Sequence, residues 1–338
     1  MNTSSPFSRR AFLATVPAAL AASRVVAQQS APASSPPTAK PAKNSIVYRF
    51  KIGDIEAFSI SDGTIRFPSP QAIMYPEDQR AEMKSALQEE GEPVDFIPCY
   101  VNTLVLRWGK EVVVIDPGFG ARSRPRFGWM FDGFEQIGIT NDQITAGFLS
   151  HAHIDHIGGF VLDGKPTFPN AAFHVLQSEL DFWFTKDPDF SQSHRDPHEL
   201  PGLIKGNREK FDLLKPQTQA MKGGEALLGG QITMEAAPGH TAGHAVFRIS
   251  SKGETVLHIA DLAHHPVLMF HNPNWFVGLD HHPVAAVASR KKIYEQAAAE
   301  HTRIFAFHLS WPGLGHVAKL GDGYRWLPER TLWSQGQA

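Results

Sequence analysis

A single cysteine, Cys99, occurs in the 338 residues, so no internal disulfide can hold the fold even in an oxidising compartment. Runs of Lys or Arg are missing as well. With 32 basic against 34 acidic residues the formal net charge is -2, and a chain without a basic stripe cannot track a phosphate backbone, so no nucleic-acid partner is expected. Long apolar runs are absent: the mildly apolar stretch near the start is broken by Pro17, Ser23 and Arg24 and is too short to cross ~30 Å of hydrocarbon. No stable membrane span is expected. Neither a G-x-S-x-G elbow nor a P-loop is present, which removes the common serine-nucleophile and phosphate-cradle explanations. What remains is an ordinary globular composition, 42% hydrophobic and 20% charged, long enough for one large domain or two small ones.

The first 27 residues read as a twin-arginine export signal. Ser8-Arg9-Arg10-Ala11-Phe12-Leu13 precedes the mildly apolar stretch, Val25-Val26-Ala27 offers small residues for cleavage, and no acid occurs in the segment. The expectation is a periplasmic or secreted protein that meets the twin-arginine translocase and folds before export. Residues 28–44 are rich in Pro, Ala and Ser and read as a disordered spacer. A folded domain over residues 45–330 and a C-terminal tail, 331–338, complete the division.

Within the domain, residues 46–52 and 55–60 predict a strand pair across Gly53-Asp54, and residues 100–108 and 111–115 a second across Gly109-Lys110. Later strands are predicted at 146–149, 172–176, 232–236, 245–249, 255–259 and 304–307. The clearest helix spans 284–300, with Pro283 just inside its start and Val287, Ile293 and Tyr294 on one face. Residues 186–215 read as an excursion over the sheet with a helix near 199–213, a lid or pocket wall. This order gives an α+β class in which two β-sheets pack together with helices outside.

Seventeen histidines are the unusual feature. An apolar strand runs into Ser150-His151-Ala152-His153-Ile154-Asp155-His156-Ile157-Gly158-Gly159, where His151 and His153, two apart in extended chain, point to one side and the glycines permit the turn that redirects Asp155 and His156. Four potential ligands within six residues exceed one tetrahedral site once distant ligands are added, so two ions are the natural reading. Three more candidates lie where an apolar strand stops: His240 in Pro238-Gly239-His240-Thr241-Ala242-Gly243-His244, Asp261 after residues 255–260, and His308 after residues 304–307. Imidazoles and carboxylates suit Zn²⁺, although Fe, Mn, Co and Ni use the same ligands.

The H-x-H-x-D-H box, the P-G-H-T-x-G-H box, the strand-terminal Asp and the strand-terminal His, in that order, resemble the metallo-β-lactamase superfamily. The resemblance extends to its methyl parathion hydrolase-like branch through Phe58-Ser59-Ile60-Ser61-Asp62-Gly63-Thr64, Asp181-Phe182-Trp183 and the stretch His308–His316, and covers roughly residues 46–328. It implies an αββα sandwich whose catalytic domain holds one ion on His151, His153 and His240 and another on Asp155, His156 and His308, with Asp261 bridging. It also implies a hydrolase of neutral esters, lactones or organophosphate triesters. Two divalent ions ~3.5 to 4 Å apart can share a hydroxide, since coordination lowers the pKa of water from 15.7 to about 7. Asp155, Asp261 and His264 form the expected catalytic set, Asp155 orienting the nucleophile. His264 stands near where acyl-homoserine lactonases of the superfamily place a tyrosine, so their carbonyl-binding arrangement does not carry over whole. His244 matches its box but is expected to support the fold.

Aromatic residues near the boxes, Phe119, Trp183 and Trp275 foremost, are expected to line an apolar substrate pocket, with Trp183 on the leaving-group side. A mononuclear iron persulfide dioxygenase and a β-lactamase share the fold as alternatives; one iron would mark the first, and a true β-lactamase lacks the bridging carboxylate. A second copy of the chain is a candidate partner.

Overall fold

The structure is a computed structural model and describes residues 45–330 except 121, 122 and 124. The export segment, the spacer and the tail lie outside these residues. Fourteen strands form two seven-stranded sheets. The first contains β1 (Val47–Ile52), β2 (Ile55–Phe67), β3 (Ile97–Trp108), β4 (Glu111–Ile115), β5 (Ala146–Phe148), β6 (Ala172–Leu176) and β7 (Thr218–Met221), neighbours in that order. The second contains β8 (Ala226–Leu227), β9 (Ile232–Ala236), β10 (Ala245–Ser251), β11 (Glu254–His258), β12 (Arg303–Phe305), β13 (Leu314–Leu320) and β14 (Gly323–Pro328). Hairpins make the early strands antiparallel, while β4, β5, β6 and β7 run parallel, as do β11 and β12. The five longest helices are α1 (Arg80–Glu89), α2 (Met130–Ile137), α3 (Gln177–Phe184), α4 (Leu200–Leu214) and α5 (Pro283–Glu300). None among the described residues is long and apolar enough to cross a membrane.

Alternation along the strands sets the layers. On β2 and β3, Ile55, Ala57, Leu104 and Leu106 face Ile232, Met234, Phe247 and Ile249 across the sheet–sheet core, while Phe58, Ile60 and Val105 face the other way onto Met130 and Phe134 of α2. On the far side, Ile293, Tyr294 and Ala297 of α5 pack on Val246, Leu257 and Ile304. The result is the expected αββα sandwich. The β2–β3 register shifts between Ser61 and Gly63, and the Asp62 carboxylate at that bulge accepts from the Phe119 amide at 3.0 Å and the Met130 amide at 2.8 Å. The F-S-I-S-D-G-T stretch is therefore a brace for the loop that carries Phe119.

At one rim the sheets are joined by backbone. Ala245 N donates to Ser150 O at 3.0 Å, Asn102 N to Phe307 O at 3.1 Å and Tyr100 N to His308 O at 3.2 Å. All the candidate ligands stand on strand ends or loops at this rim. α5 fixes one of those loops: buried Arg290 donates to the carbonyls of Leu262, Pro273 and Trp275.

Candidate metal centre

The H-x-H-x-D-H box leaves β5 extended, then turns into a single helical turn at Ile154–Ile157, so His151 and His153 precede the turn and Asp155 and His156 ride on it. In the P-G-H-T-x-G-H box both glycines are required. A Cβ on Gly239, whose φ is +133°, would lie 2.0 Å from the Ala286 amide nitrogen of α5, and one on Gly243 would lie 2.1 Å from the Glu179 amide nitrogen of α3. Helix and loop touch backbone to backbone at each place, which seats His240 between them. Ala260 adopts φ +43°, a left-handed conformation costing about 1–3 kcal/mol, and this bend turns Asp261 inward.

All seven expected ligands converge. His153 Nδ1 lies 2.9 Å from His151 Nε2 and 2.8 Å from His240 Nε2. Asp261 Oδ2 is 3.5 Å from His151 Nε2, 3.0 Å from His240 Nε2 and 3.2 Å from His308 Nε2, while its Oδ1 is 3.0 Å from His156 Nε2. Asp155 Oδ2 completes the second group, 3.4 Å from His308 Nε2 and 3.8 Å from His156 Nε2. Donor atoms of His151, His153, His240 and Asp261 lie within 4.8 Å of one another, and so do those of Asp155, His156 and His308. Asp261 thus stands between two groups.

These groups fit divalent ions better than they fit each other. His308 Nδ1 donates to the Tyr100 carbonyl at 2.7 Å, so its Nε2 satisfies the Asp261 carboxylate only by carrying a second proton, and against the pull of burial Asp261 holds the ring's pKa well above its ordinary value. His156 Nε2 and Asp261 Oδ1 are buried with no hydrogen-bond partner. Outer partners orient the rings: Asp280 Oδ1 on His240 Nδ1 at 2.7 Å, Asp116 Oδ2 on His156 Nδ1 at 3.0 Å and Ser150 Oγ on His151 Nδ1 at 2.9 Å. Burial alone would lower the His156 pKa, but Asp261, Asp155 and Asp116 push it up to about 10. Burial and neighbouring His156 and His240 hold His151 well below its ordinary value. Such divergence among touching groups is what a site built around cations produces when protons stand in for them.

Buried Glu179 ties the two boxes to α3. Its Oε1 accepts from the Ala152 amide and the Trp183 indole, both at 2.8 Å, and its Oε2 from the Thr241 hydroxyl at 2.6 Å and the Gly243 amide at 2.9 Å. His244 Nδ1 donates to Ala237 O at 3.0 Å and its Nε2 accepts from the Asp261 amide at 3.1 Å. It supports the bridging carboxylate from behind.

Beside the centre opens a cavity of about 240 Å³. Ile65, Phe67, Phe119, Leu203 and Leu279 give it apolar walls, and Asp155, Asp261, His264, His308 and Arg195 supply the polar groups. Phe119 lines it, as expected from the sequence. Trp183 and Trp275 do not: Trp183 is fully buried against Glu179 and core aromatics, and Trp275 packs among Met83, Leu87 and Met269. Both corrections share a cause. Each indole N–H finds a protein acceptor, Glu179 or Gln79, which anchors the ring inward. The 186–215 excursion is a wall of this cavity through Arg195 and Leu203. His281, which stands in neither sequence box, lies beside His153 with ring centroids 5.6 Å apart. Asp116 was missed although it ends the apolar strand β4 just as Asp261 follows β11, so the strand-end rule could have found it. Asp280, Glu179 and Arg195 carry no comparable signal.

Acid should loosen the metal-free protein. Burial depresses the His244 pKa to about 3 and the His258 and His265 values to about 4, so in the fold all three stay neutral below pH 6.5 while the unfolded chain takes up protons. Stability attached to them is complete above pH 6.5 and is lost as pH falls toward 4, by roughly 4 kcal/mol per pH unit for three protons. Raised groups such as His156 are protonated in both states there and do not offset the loss. Melting temperature of chelated protein should fall steeply from pH 6.5 to 4.5; a flat profile would contradict the burial of neutral rings.

The sequence profile of the metallo-beta-lactamase superfamily matches residues 96–308. The chain belongs to that superfamily. Among solved members of the superfamily, AidC, a dizinc quorum-quenching lactonase captured with a product, N-hexanoyl-L-homoserine, is 32% identical, with 85% of this chain and 98% of that chain covered at a TM-score of 0.81. The hydrolase AbOPH of the same superfamily is 24% identical over 86% of this chain and 100% of that chain, with a TM-score of 0.75, a likeness of fold. An uncharacterised protein of Mycobacterium tuberculosis is 29% identical over 167 residues, 47% of this chain, and the chain spans 64% of that relative's length. Superfamily and sandwich support a metal-dependent hydrolase, and the converging side chains are its candidate metal site.

Proposed function

We propose that the protein opens small neutral lactones bearing an apolar acyl chain, with two divalent ions, zinc foremost, held by His151, His153 and His240 on one side, Asp155, His156 and His308 on the other, and Asp261 between. The observation that carries this reading is Asp261, whose two oxygens face imidazoles of both groups at the floor of an apolar-walled cavity. Likeness to a dizinc lactonase supports it. When bound, such ions supply Lewis acidity and a water acidified to near neutrality.

The chain's own residues do the rest. Asp155, at the cavity floor, is placed to orient the attacking water and take its proton. Burial lowers the His264 pKa to about 4, so its ring is neutral at physiological pH; set on the cavity wall, it can donate one N–H to oxygen gaining charge at the scissile carbonyl. Walls formed by Ile65, Phe67, Phe119, Leu203 and Leu279 accept an acyl chain and exclude water. A single-iron dioxygenase would leave the Asp155, His156 and His308 group without a purpose. We propose the periplasm or exterior as the place of action, from the sequence of residues 1–27 alone.

Purified, zinc-loaded protein offered lactones, aryl esters and phosphotriesters should show kcat/KM at least about 10-fold higher for an acylated lactone, a preference worth ~1.4 kcal/mol. Equal or greater turnover of aryl esters or phosphotriesters would refute the lactone assignment, and elemental analysis finding one iron per chain would refute the hydrolase.

A further inference from the structure

Among the described residues Arg195 is the one permanently charged cation on the cavity wall, and it is poorly provided for. Its guanidinium Nη2 donates to His153 Nε2 at 2.8 Å, its Nε is enclosed without a partner, and among the described residues it makes no ion pair with a carboxylate. A guanidinium carries five donors and no acceptor, so this side chain, which lines the cavity, has donors left to fill. The segment that bears it is positioned: the neighbouring His194 ring packs tilted against Tyr75 with centroids 4.2 Å apart and lies 5.5 Å from Phe276.

The contact with His153 belongs to one state of that ring. Arg195 can only donate, so His153 Nε2 must accept, which places the ring proton on Nδ1, the atom that lies 2.9 Å from His151 Nε2 and 2.8 Å from His240 Nε2. A cation held by those three nitrogens requires a lone pair on Nδ1, and a neutral ring then carries its proton on Nε2, turning acceptor into donor. Arg195 must give up this contact when the site is filled. The carboxylates that share the cavity, Asp155 and Asp261, face His308 and the other ligands. Glu199, Asp155 and Asp280 act on Arg195 without pairing with it, while Ile65, Phe67, Phe119, Leu203 and Leu279 make the apolar part of the wall.

We infer that Arg195 is the residue that selects substrate: freed from His153, it donates to a neutral carbonyl oxygen beside the scissile ring, the amide oxygen of an N-acylated lactone, while the acyl tail lies on Phe119, Leu203 and Leu279. This rests on the lactone reading given above and adds a preference for the amide to it. Simple alkyl lactones lack the acceptor, so they gain nothing from Arg195.

The test uses zinc-loaded wild type, Arg195→Met and Arg195→Lys, with N-hexanoyl-homoserine lactone and γ-decalactone as substrates and calorimetric binding of the ring-opened N-hexanoyl-homoserine as a second readout. In Arg195→Met the KM for the amide substrate, divided by that for γ-decalactone, should rise about 10-fold to 100-fold, the scale of a charge-assisted hydrogen bond, with Kd for the ring-opened amide rising in parallel and Arg195→Lys between. Equal changes for both lactones, or an unchanged ratio, overturn the inference. If wild type opens neither lactone, the proposed function fails, and binding still decides Arg195: a Kd that is the same in wild type and Arg195→Met, or no binding to either, overturns the anchor. Zinc stoichiometry should stay that of wild type in both variants; loss of zinc from Arg195→Met would show a role in holding His153 and also overturn it.

Discussion

Asp261→Ala is expected to release both ions and to lower turnover by about 1000-fold or more, because one carboxylate serves both donor groups and the reaction needs both to polarise the carbonyl and acidify water. Its Oδ1 is 3.0 Å from His156 and its Oδ2 3.0 Å from His240 and 3.2 Å from His308, so one carboxylate reaches both groups. His244→Ala makes the contrast. It removes the acceptor behind the Asp261 amide and the donor to the Ala237 carbonyl, and losing such an outer partner weakens metal affinity about 10-fold to 100-fold without removing a ligand. Elemental analysis of the two variants after gel filtration in chelator-free buffer decides: near-zero metal for Asp261→Ala and near-complete retention for His244→Ala. Equal losses would undo the ligand assignment.

Glu179→Ala should be the most damaging change outside the ligands. It strands the amides of Ala152 and Gly243, the Thr241 hydroxyl and the Trp183 indole in a dry interior, and each buried donor left unsatisfied costs about 1–3 kcal/mol. Even at the low end a chain of this size should melt about 10 °C lower. Burial pushes the Glu179 carboxyl pKa up while its donors pull it back, so Glu179→Gln, which keeps the shape but turns one oxygen into a donor facing donors, should recover only part of the loss. Circular dichroism melts of both variants test this, and a melting temperature within about 2 °C of wild type for Glu179→Ala, less than one unsatisfied donor predicts, would show that the loops hold without it.

The strands that carry ligands were legible because an apolar run ending in His or Asp announces both the strand and its functional end. β5, β11 and β12 fall within one or two residues of their expected bounds, and α5 begins one residue early, at Pro283, where His282 caps the Ala285 amide. Elements without such a pattern were passed over: α1 buries only Met83, Ala86 and Leu87, and the end of β13 is exposed at Lys319 and Leu320. Trp183 was misplaced for a different reason. Glu179 and Trp183 are one turn apart on α3, and sequence alone does not say whether a short helix turns that face to a cavity or to a loop. Arg195 was invisible because its importance lies in donors left without a close acceptor, and only packing reveals that.

The rim where backbone bonds cross from sheet to sheet also divides the ligands by origin. His151, His153, Asp155 and His156 follow β5 of the first sheet, whereas His240, Asp261 and His308 follow β9, β11 and β12 of the second. Neither sheet can fill either donor group by itself. Ions seated there would clamp segments far apart in sequence, closing long loops as a cross-link does and taking freedom from the unfolded chain in the same way. In a protein whose lone cysteine forbids any intramolecular disulfide, metal held there would be the staple, and its uptake would report that the two halves have docked.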